Sequence, residues 1–399
     1  MWLILNSSEK SLMFVDSLNT PRVIVYGCGL AGRWLAEHFG DRCVGFIDTD
    51  EKKSGLVYAG KTVFSPHEAK DLLASDISIV VSVVDIKDVI SQVKSMVGDR
   101  WQTITKFIDK SELNNNIVQK TGDGFLNYAL ETAETMHSAY ERLSPLVIRS
   151  VDVVITEKCT LKCKDCANLM QYYQKPINIG TETVLGELAS FLEVVDELYE
   201  VRLIGGEPFV NKNIYEIVEE ICANDKVKRC VLYTNGGVPI KQDKAKILRH
   251  HKVVFSITDY GDLSRSIDKV ETFLIENEII YRRHVPEYWT ESGTIHDFDR
   301  TVPEMEELFE KCCGKNLYTI SNNRLYRCPF AANADRLFAI PFDQANSVEL
   351  SASVDDMDCY LNDKTYIPAC NYCKGRSFDA PLIDAGVQAP NILEYRKYK

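Results

Sequence analysis

At 399 residues, 45% hydrophobic and 26% charged, the chain is long enough for two or three domains and has the composition of ordinary globular protein, not of a disordered chain. No apolar run approaches the roughly 20 residues a spanning helix needs, and residues 1–12 lack a basic stretch followed by a sustained apolar run, so a cytoplasmic, non-membrane protein is expected. A formal charge of -12, from 46 basic against 58 acidic residues, argues against nonspecific nucleic-acid binding, because phosphate neutralisation needs concentrated Lys and Arg.

The first segment, about residues 1–115, alternates strand and helix signals. An apolar strand at 23–26 runs into Gly27-Cys-Gly29-Leu-Ala-Gly32 and a helical pattern, a complete G-x-G-x-x-G in the strand-to-helix context it requires. Gly27 permits the tight turn, Gly29 lets backbone approach a ligand, and Gly32 allows close helix packing. A second apolar run, 43–47, ends in Asp48, near where an acidic residue would meet a ribose hydroxyl, and 77–84 supplies a further buried strand. The alternative is a domain of the same shape that binds no dinucleotide, or binds a different nucleotide. Residues 116–148 hold a polar stretch and then a helix through Leu143, and read as a connector.

The second segment, about 149–300, repeats strand then helix. Strands are predicted at 151–156, 201–204, 230–233, 253–257 and 279–283, with helices at 181–198 and 213–223 among them, which implies a parallel sheet covered by helices. In such sheets chemistry collects at the carboxyl ends of the strands.

Thirteen cysteines, an odd number without a secretory signal, fit a disulfide framework badly and point to metal or redox chemistry. Cys28, Cys43, Cys222 and Cys230 stand in apolar contexts and read as small buried hydrophobes. Cys159, Cys163 and Cys166 form a CxxxCxxC at the first strand end of the second segment. Three thiolates on a short loop can hold three irons of a 4Fe-4S cluster, leaving the fourth iron open for a small molecule. The competing reading is zinc, which favours four ligands and finds no histidine close by in sequence. Gly205-Gly206-Glu207-Pro208 follows the next strand, its glycines allowing close backbone approach and Glu207 offering an acceptor for an ammonium group. Thr234-Asn235-Gly236 follows the third.

The third segment, about 301–399, holds Cys312, Cys313, Cys328, Cys359, Cys370 and Cys373. Ser321-Asn-Asn323 between two short strands reads as a hairpin turn, since Asn tolerates positive φ.

CxxxCxxC, GGEP and TNG at successive strand ends together resemble the radical S-adenosylmethionine (radical SAM) enzyme superfamily, over about residues 149–285. The resemblance implies a partial (β/α)6 TIM-like barrel in which Cys159, Cys163 and Cys166 ligate a catalytic 4Fe-4S cluster. Residues 205–208 would bind the S-adenosylmethionine ammonium, with Thr234, Asn235 and Ser256 as candidates for its carboxylate and ribose. It further implies a 5'-deoxyadenosyl radical that abstracts a substrate hydrogen atom, and an electron donor such as flavodoxin or ferredoxin. The residue before the last cluster cysteine is usually aromatic in that superfamily and here is Asp165. The third segment resembles a twitch extension, a shortened SPASM domain, with one auxiliary 4Fe-4S cluster on Cys313, Cys328, Cys370 and Cys373; Cys312 rivals Cys313, and structural zinc is the alternative occupant. Residues 27–66 resemble the small Rossmann-type domain attached to sugar-modifying enzymes, implying NAD(P) or a nucleotide sugar as its ligand.

Twitch-bearing relatives include an aminocyclitol dehydrogenase, so oxidation of a sugar, nucleotide-sugar or cyclitol carbinol is the first expectation. Epimerisation is the second, with Cys359 or the unused member of Cys312 and Cys313 as a candidate hydrogen donor, and modification of a ribosomally made peptide the third. Asp259 is a weak catalytic candidate, and Tyr260, Arg282, Arg283, His284 and Trp289 are expected near the barrel mouth.

Overall fold

The computed structural model describes residues 18, 20–109, 113, 123–143, 146–377 and 380–398. The polar run at 120–122 and residues 1–12 lie outside them. Two compact units result, Met1–Ser144 and Pro145–Lys399.

The first unit is built on six strands: β1 (Arg22–Tyr26), β2 (Cys43–Ile47), β3 (Val57–Tyr58), β4 (Lys61–Phe64), β5 (Ile77–Val81) and β6 (Trp101–Thr103), in the order β3-β4-β2-β1-β5-β6. All pairings are parallel except β3 with β4. The central strands β1 and β5 are apolar because helices cover both faces, as a parallel sheet demands. Helix Leu30–Phe39 packs Trp34, Leu35 and Phe39 against one side of this sheet. Its start depends on the glycines. A Cβ on Gly32 would stand 1.9 Å from the Gly27 carbonyl oxygen, and one on Gly27, at φ +105°, would stand 2.8 Å from Val83 Cγ2. Gly29 instead opens on free space.

The second unit carries β7 (Val147–Thr156), β8 (Glu197–Gly205), β9 (Val227–Thr234), β10 (Val253–Thr258), β11 (Ile280–His284), β12 (Tyr288–Thr290), β13 (Thr319–Ser321), β14 (Arg324–Tyr326), β15 (Ser347–Glu349) and β16 (Leu382–Asp384). Its main sheet runs β11-β10-β9-β8-β7-β13-β14-β15. β7 to β11 are parallel throughout. Helices Thr181–Val194 and Ile214–Ala223 lay Val184, Leu188, Phe191, Ile214, Ile217 and Ile221 on this sheet at helical spacing, in one core with Val151, Leu203, Leu232 and Phe255.

Five strands, not six, follow one another in the parallel series. The next in the chain, β12, pairs antiparallel with β16 instead. The sixth parallel neighbour is β13, which joins the opposite edge beside β7 and leads into the antiparallel β14 and β15. The second and third sequence segments therefore share one sheet. The hairpin β13–β14 turns on Asn322 and Asn323, both in the left-handed region at φ +54° and +57°, as a two-residue turn requires.

Replacing Gly32 by Ala should force the helix start off the Gly27 loop and destabilise the first unit by roughly 1–3 kcal/mol. A lowered first-unit unfolding midpoint in denaturant is the expected measurement, whereas Gly29→Ala, with free space around its Cα, should change it little.

Candidate functional site

The carboxyl ends of β7, β8, β9 and β10 surround a cavity of about 430 Å³. Cys159, Cys163 and Cys166 all line it, with Gly205, Gly206, Thr234, Asn235, Thr258, Tyr260 and Trp289. The three thiols thus open on one space. Burial pushes Cys159 up to about 12 and Cys163 up to about 11, and raises Cys166 as well. Ligation must displace these protons.

The loop that carries them is pinned from three directions. Gly206 packs so tightly that an added Cβ would sit 2.1 Å from the Lys158 carbonyl oxygen, and one on Gly205 would sit 2.1 Å from that of Thr156. These glycines therefore serve loop-on-loop packing as well as exposure to the cavity. Asn235 Nδ2 lies 3.6 Å from Cys159 Sγ and donates to Thr160 Oγ1 at 3.1 Å. The third support comes from far along the chain. Residues 387–389 run antiparallel to the loop, with Lys164 N–H donating to the Val387 carbonyl and Ala389 N–H to that of Lys162. Between them Gln388 accepts from Lys162 N–H at 2.7 Å through Oε1, and its Nε2 lies 3.3 Å from Cys163 Sγ.

Glu207 behaves differently from the ammonium acceptor expected of it. Its carboxylate is fully buried and accepts from Thr234 Oγ1 at 2.8 Å, Asn235 N–H at 2.8 Å and Phe209 N–H at 3.2 Å. It fastens the end of β8 to the end of β9, and it does not line the cavity. Pro208 is buried in the short turn that follows. Ser256 lies two residues before Thr258 on β10, one position pair deeper than the lining residues.

Of the residues expected at the barrel mouth, Tyr260 and Trp289 line the cavity, in edge-to-face contact at 5.8 Å. They supply aromatic surface where Asp165 has none to offer. Arg282 and His284 are exposed. Asp259 is held by Arg283 at 2.7 Å and by Gly261 N–H at 2.8 Å, and these partners hold its carboxyl below the usual range against the opposing effect of burial. An ion-paired carboxylate outside the cavity is poorly placed to act on a ligand there.

A second cysteine group lies in the C-terminal part of this unit. Cys312 stands close enough to Cys328, Cys370 and Cys373 to influence each of them electrostatically, and burial raises all three of those thiols. Cys313 is exposed, and its N–H donates to the Arg376 carbonyl at 2.9 Å. This favours Cys312 over Cys313 as the fourth member, because helix Val302–Lys311 ends at Cys312 and turns its sulfur inward, where Gly314 N–H meets it at 3.4 Å. Cys359 stands exposed on helix Val354–Asn362, outside the cavity lining, so nothing places it as a hydrogen donor there. Cys28, Cys43, Cys222 and Cys230 are buried.

Among the described residues no three His, Cys, Asp or Glu side chains converge as ligands to one metal ion would. Three thiols and no further Cys or His line the first cavity, a donor set that would fit three irons of a cubane.

In the first unit Asp48 is committed internally. It accepts from Cys28 N–H at 3.0 Å, Asp50 N–H at 3.0 Å and Lys53 Nζ at 3.0 Å, which hold its pKa down despite burial. Asp48 thereby links the glycine loop to the turn after β2. Among the lining residues of the large cavity that the sequence does not single out as site residues are Asp152, Arg202, Tyr233 and Arg376. A signal existed for the first two, because each is a charge inside an otherwise apolar strand.

Burial raises the Glu207 carboxyl to about 7 against the lowering effect of its three donors. Folding thus favours its protonated form: that contribution is complete below the ordinary glutamate pKa of about 4.3 and is lost as pH rises through 7. Melting temperatures across this window should therefore fall more steeply with pH in the parent protein than in Glu207→Gln, and parallel curves would contradict the assignment.

Residues 153–262 match the model of the Radical SAM superfamily. GTP 3',8-cyclase of Synechocystis sp. is 33% identical over 156 residues, 39% of this chain and 42% of that protein. Molybdenum cofactor biosynthesis protein 1 of Drosophila melanogaster is 29% identical over 130 residues, 30% of this chain and 23% of its own. The alignment thus spans about two fifths of the first of these relatives and less of the second. Among solved structures, anSMEcpe with bound AdoMet aligns with a TM-score of 0.37 at 12% identity, over 56% of this chain and 84% of that one. BtrN in complex with AdoMet and 2-DOIA aligns at 0.33 and 13%, over 55% and 83%. The stretch of the second unit that holds the CxxxCxxC loop and the glycine-lined strand ends, residues 153–262, is thus similar to the Radical SAM superfamily.

Proposed function

We propose that the protein is a radical SAM oxidoreductase that oxidises a carbinol of a sugar, nucleotide sugar or cyclitol. The observation that carries this reading is the presence of two cysteine groups in one unit, three thiols at an open cavity and four more beyond it, with Arg376 lining the cavity while its backbone binds Cys313. When bound, the first cluster and S-adenosylmethionine supply a 5'-deoxyadenosyl radical that takes a hydrogen atom from the carbinol carbon. A second cluster held by the other cysteine group would be the acceptor for the remaining electron, with the hydroxyl proton passing to solvent, so that alcohol would become ketone.

The chain's own residues orient and enclose. Cys159, Cys163 and Cys166 would hold three irons, kept in place by Asn235, Gln388 and the close-packed Gly206. Tyr260 and Trp289 would face the adenine, and the buried Ile204 and Thr234 narrow the cavity against water. Cys312, Cys328, Cys370 and Cys373 would ligate the second cluster. In the first unit a nucleotide or nucleotide sugar is the proposed ligand, supported by the open face at Gly29. A second reading, ring formation on GTP, is supported by the relatives named GTP 3',8-cyclase.

Anaerobically prepared protein should contain roughly eight irons per chain, four for each cubane. Cys312→Ser should halve that content while Cys313→Ser leaves it intact; equal loss in both would return Cys313 to the ligand set. Deuterium should pass into 5'-deoxyadenosine from a carbinol-labelled sugar, nucleotide sugar or cyclitol. Transfer from labelled GTP alone would establish the second reading, and zinc without iron would end both.

A further inference from the structure

Below the cysteine loop the cavity holds charge that the cluster does not use. Asp152 on β7 and Arg202 on β8 are register partners, and Arg202 Nε donates to Asp152 Oδ1 at 2.5 Å. Arg202 Nη1 lies 3.9 Å from Glu200 Oε1. The remaining nitrogen, Nη2, is buried without a partner on a residue only 7% exposed. A second guanidinium reaches the same cavity from the C-terminal part of the unit: Arg376 lines it, and its Nε is likewise buried without a partner. A buried N–H with no acceptor is costly, and a charged one more so. Both belong to arginines that line the one cavity, so an anion there would meet two guanidinium groups with donors to spare.

The charges around this floor set what that acceptor can be. Asp152, Glu200, Arg149, Arg202 and Arg376 act on one another or on the Tyr233 hydroxyl, which also lines the cavity. Three guanidinium groups against two carboxylates leave a single formal positive charge. We propose that Arg202 Nη2 and Arg376 Nε form the anion-binding end of the substrate site, taking a singly charged oxyanion, a carboxylate or a phosphodiester oxygen, with Asp152 fixing the Arg202 plane. This rests on the reading of the cavity given above and narrows its substrate class to acidic or nucleotide-linked sugars.

S-adenosylmethionine also carries a carboxylate, so the same chemistry could come from the cofactor. Position favours the substrate. Arg202 is three residues before Gly205, about 10 Å down the strand from the glycine loop. An anion at the Arg202 end is set back from the strand ends, while Arg376, which acts on Cys166, reaches toward the cysteine loop.

The test uses cluster-loaded protein saturated with S-adenosylmethionine, with inorganic phosphate as the probe near pH 6.5, where its singly charged form is abundant, and acetate as competitor. Phosphorus relaxation, enhanced by the reduced cluster, reads binding directly. The expected result is saturable enhancement that acetate displaces and that Arg376→Gln weakens at least tenfold, with S-adenosylmethionine affinity changed less than twofold. Arg202→Met combined with Asp152→Leu, which removes the pair without stranding a buried charge, should do the same. No saturable binding in the parent protein, or equal binding in both variants, overturns the proposal. A tenfold loss of S-adenosylmethionine affinity with phosphate binding retained also overturns it, assigning the arginines to the cofactor carboxylate. Formation of 5'-deoxyadenosine by the parent protein is scored separately, so failure of the radical reading is distinguishable from failure of the anion site.

Discussion

The site depends on one buried carboxylate. Glu207 has no solvent exposure, and its two oxygens take three donors from its own turn and from the end of β9. An unsatisfied carboxylate at such depth would be prohibitive, so the ends of β8 and β9 must stay in register for the fold to persist. Asn235, positioned by that bond, reaches on to Cys159 and Thr160. The first cysteine is thereby tied to the sheet through hydrogen bonds rather than through chain connectivity. Residues that contact no ligand set where the thiols stand.

The C-terminal part of the second unit closes the same site from the other side. β13 extends the main sheet beside β7, and residues 387–389 return to lie along the cysteine loop. Gln388 contributes an N–H to Cys163 Sγ, the type of hydrogen bond that tunes the potential of an iron-sulfur cluster. The extension that carries the second cysteine group is thus structurally continuous with the first site. Arg376 expresses this economy most directly, offering its carbonyl to Cys313 and its guanidinium to the cavity.

Several features were legible before any coordinates because their causes are local. Asn322 and Asn323 mark a hairpin because few other residues accept two successive positive φ angles. Gly27 and Gly32 mark a strand-to-helix turn because a Cβ on either would collide with the chain. The neighbourhood of Cys312 and Cys313 was not legible. Two adjacent cysteines have identical sequence context, and only the end of helix Val302–Lys311 decides which sulfur turns inward. Asp48 and Glu207 show the same limit from the opposite side. Their chemistry as acceptors is apparent from sequence, but the donors they take, backbone N–H groups of nearby loops together with the Thr234 hydroxyl and the Lys53 ammonium, are not.

What residue order alone specified was the alternation of strand and helix, the turns, and the clustering of thiols at a strand end, since periodicity and short spacing act over a few residues. Tertiary structure decided everything that needed distant segments to meet. Gln388 reaches Cys163 across 225 residues, Arg202 and Arg376 meet at one cavity, and β13 rather than β12 joins the parallel sheet. Burial is the physical reason. Whether a polar group finds a partner, stays unsatisfied or faces a ligand depends on which surfaces pack against it, and no short stretch of sequence contains that information.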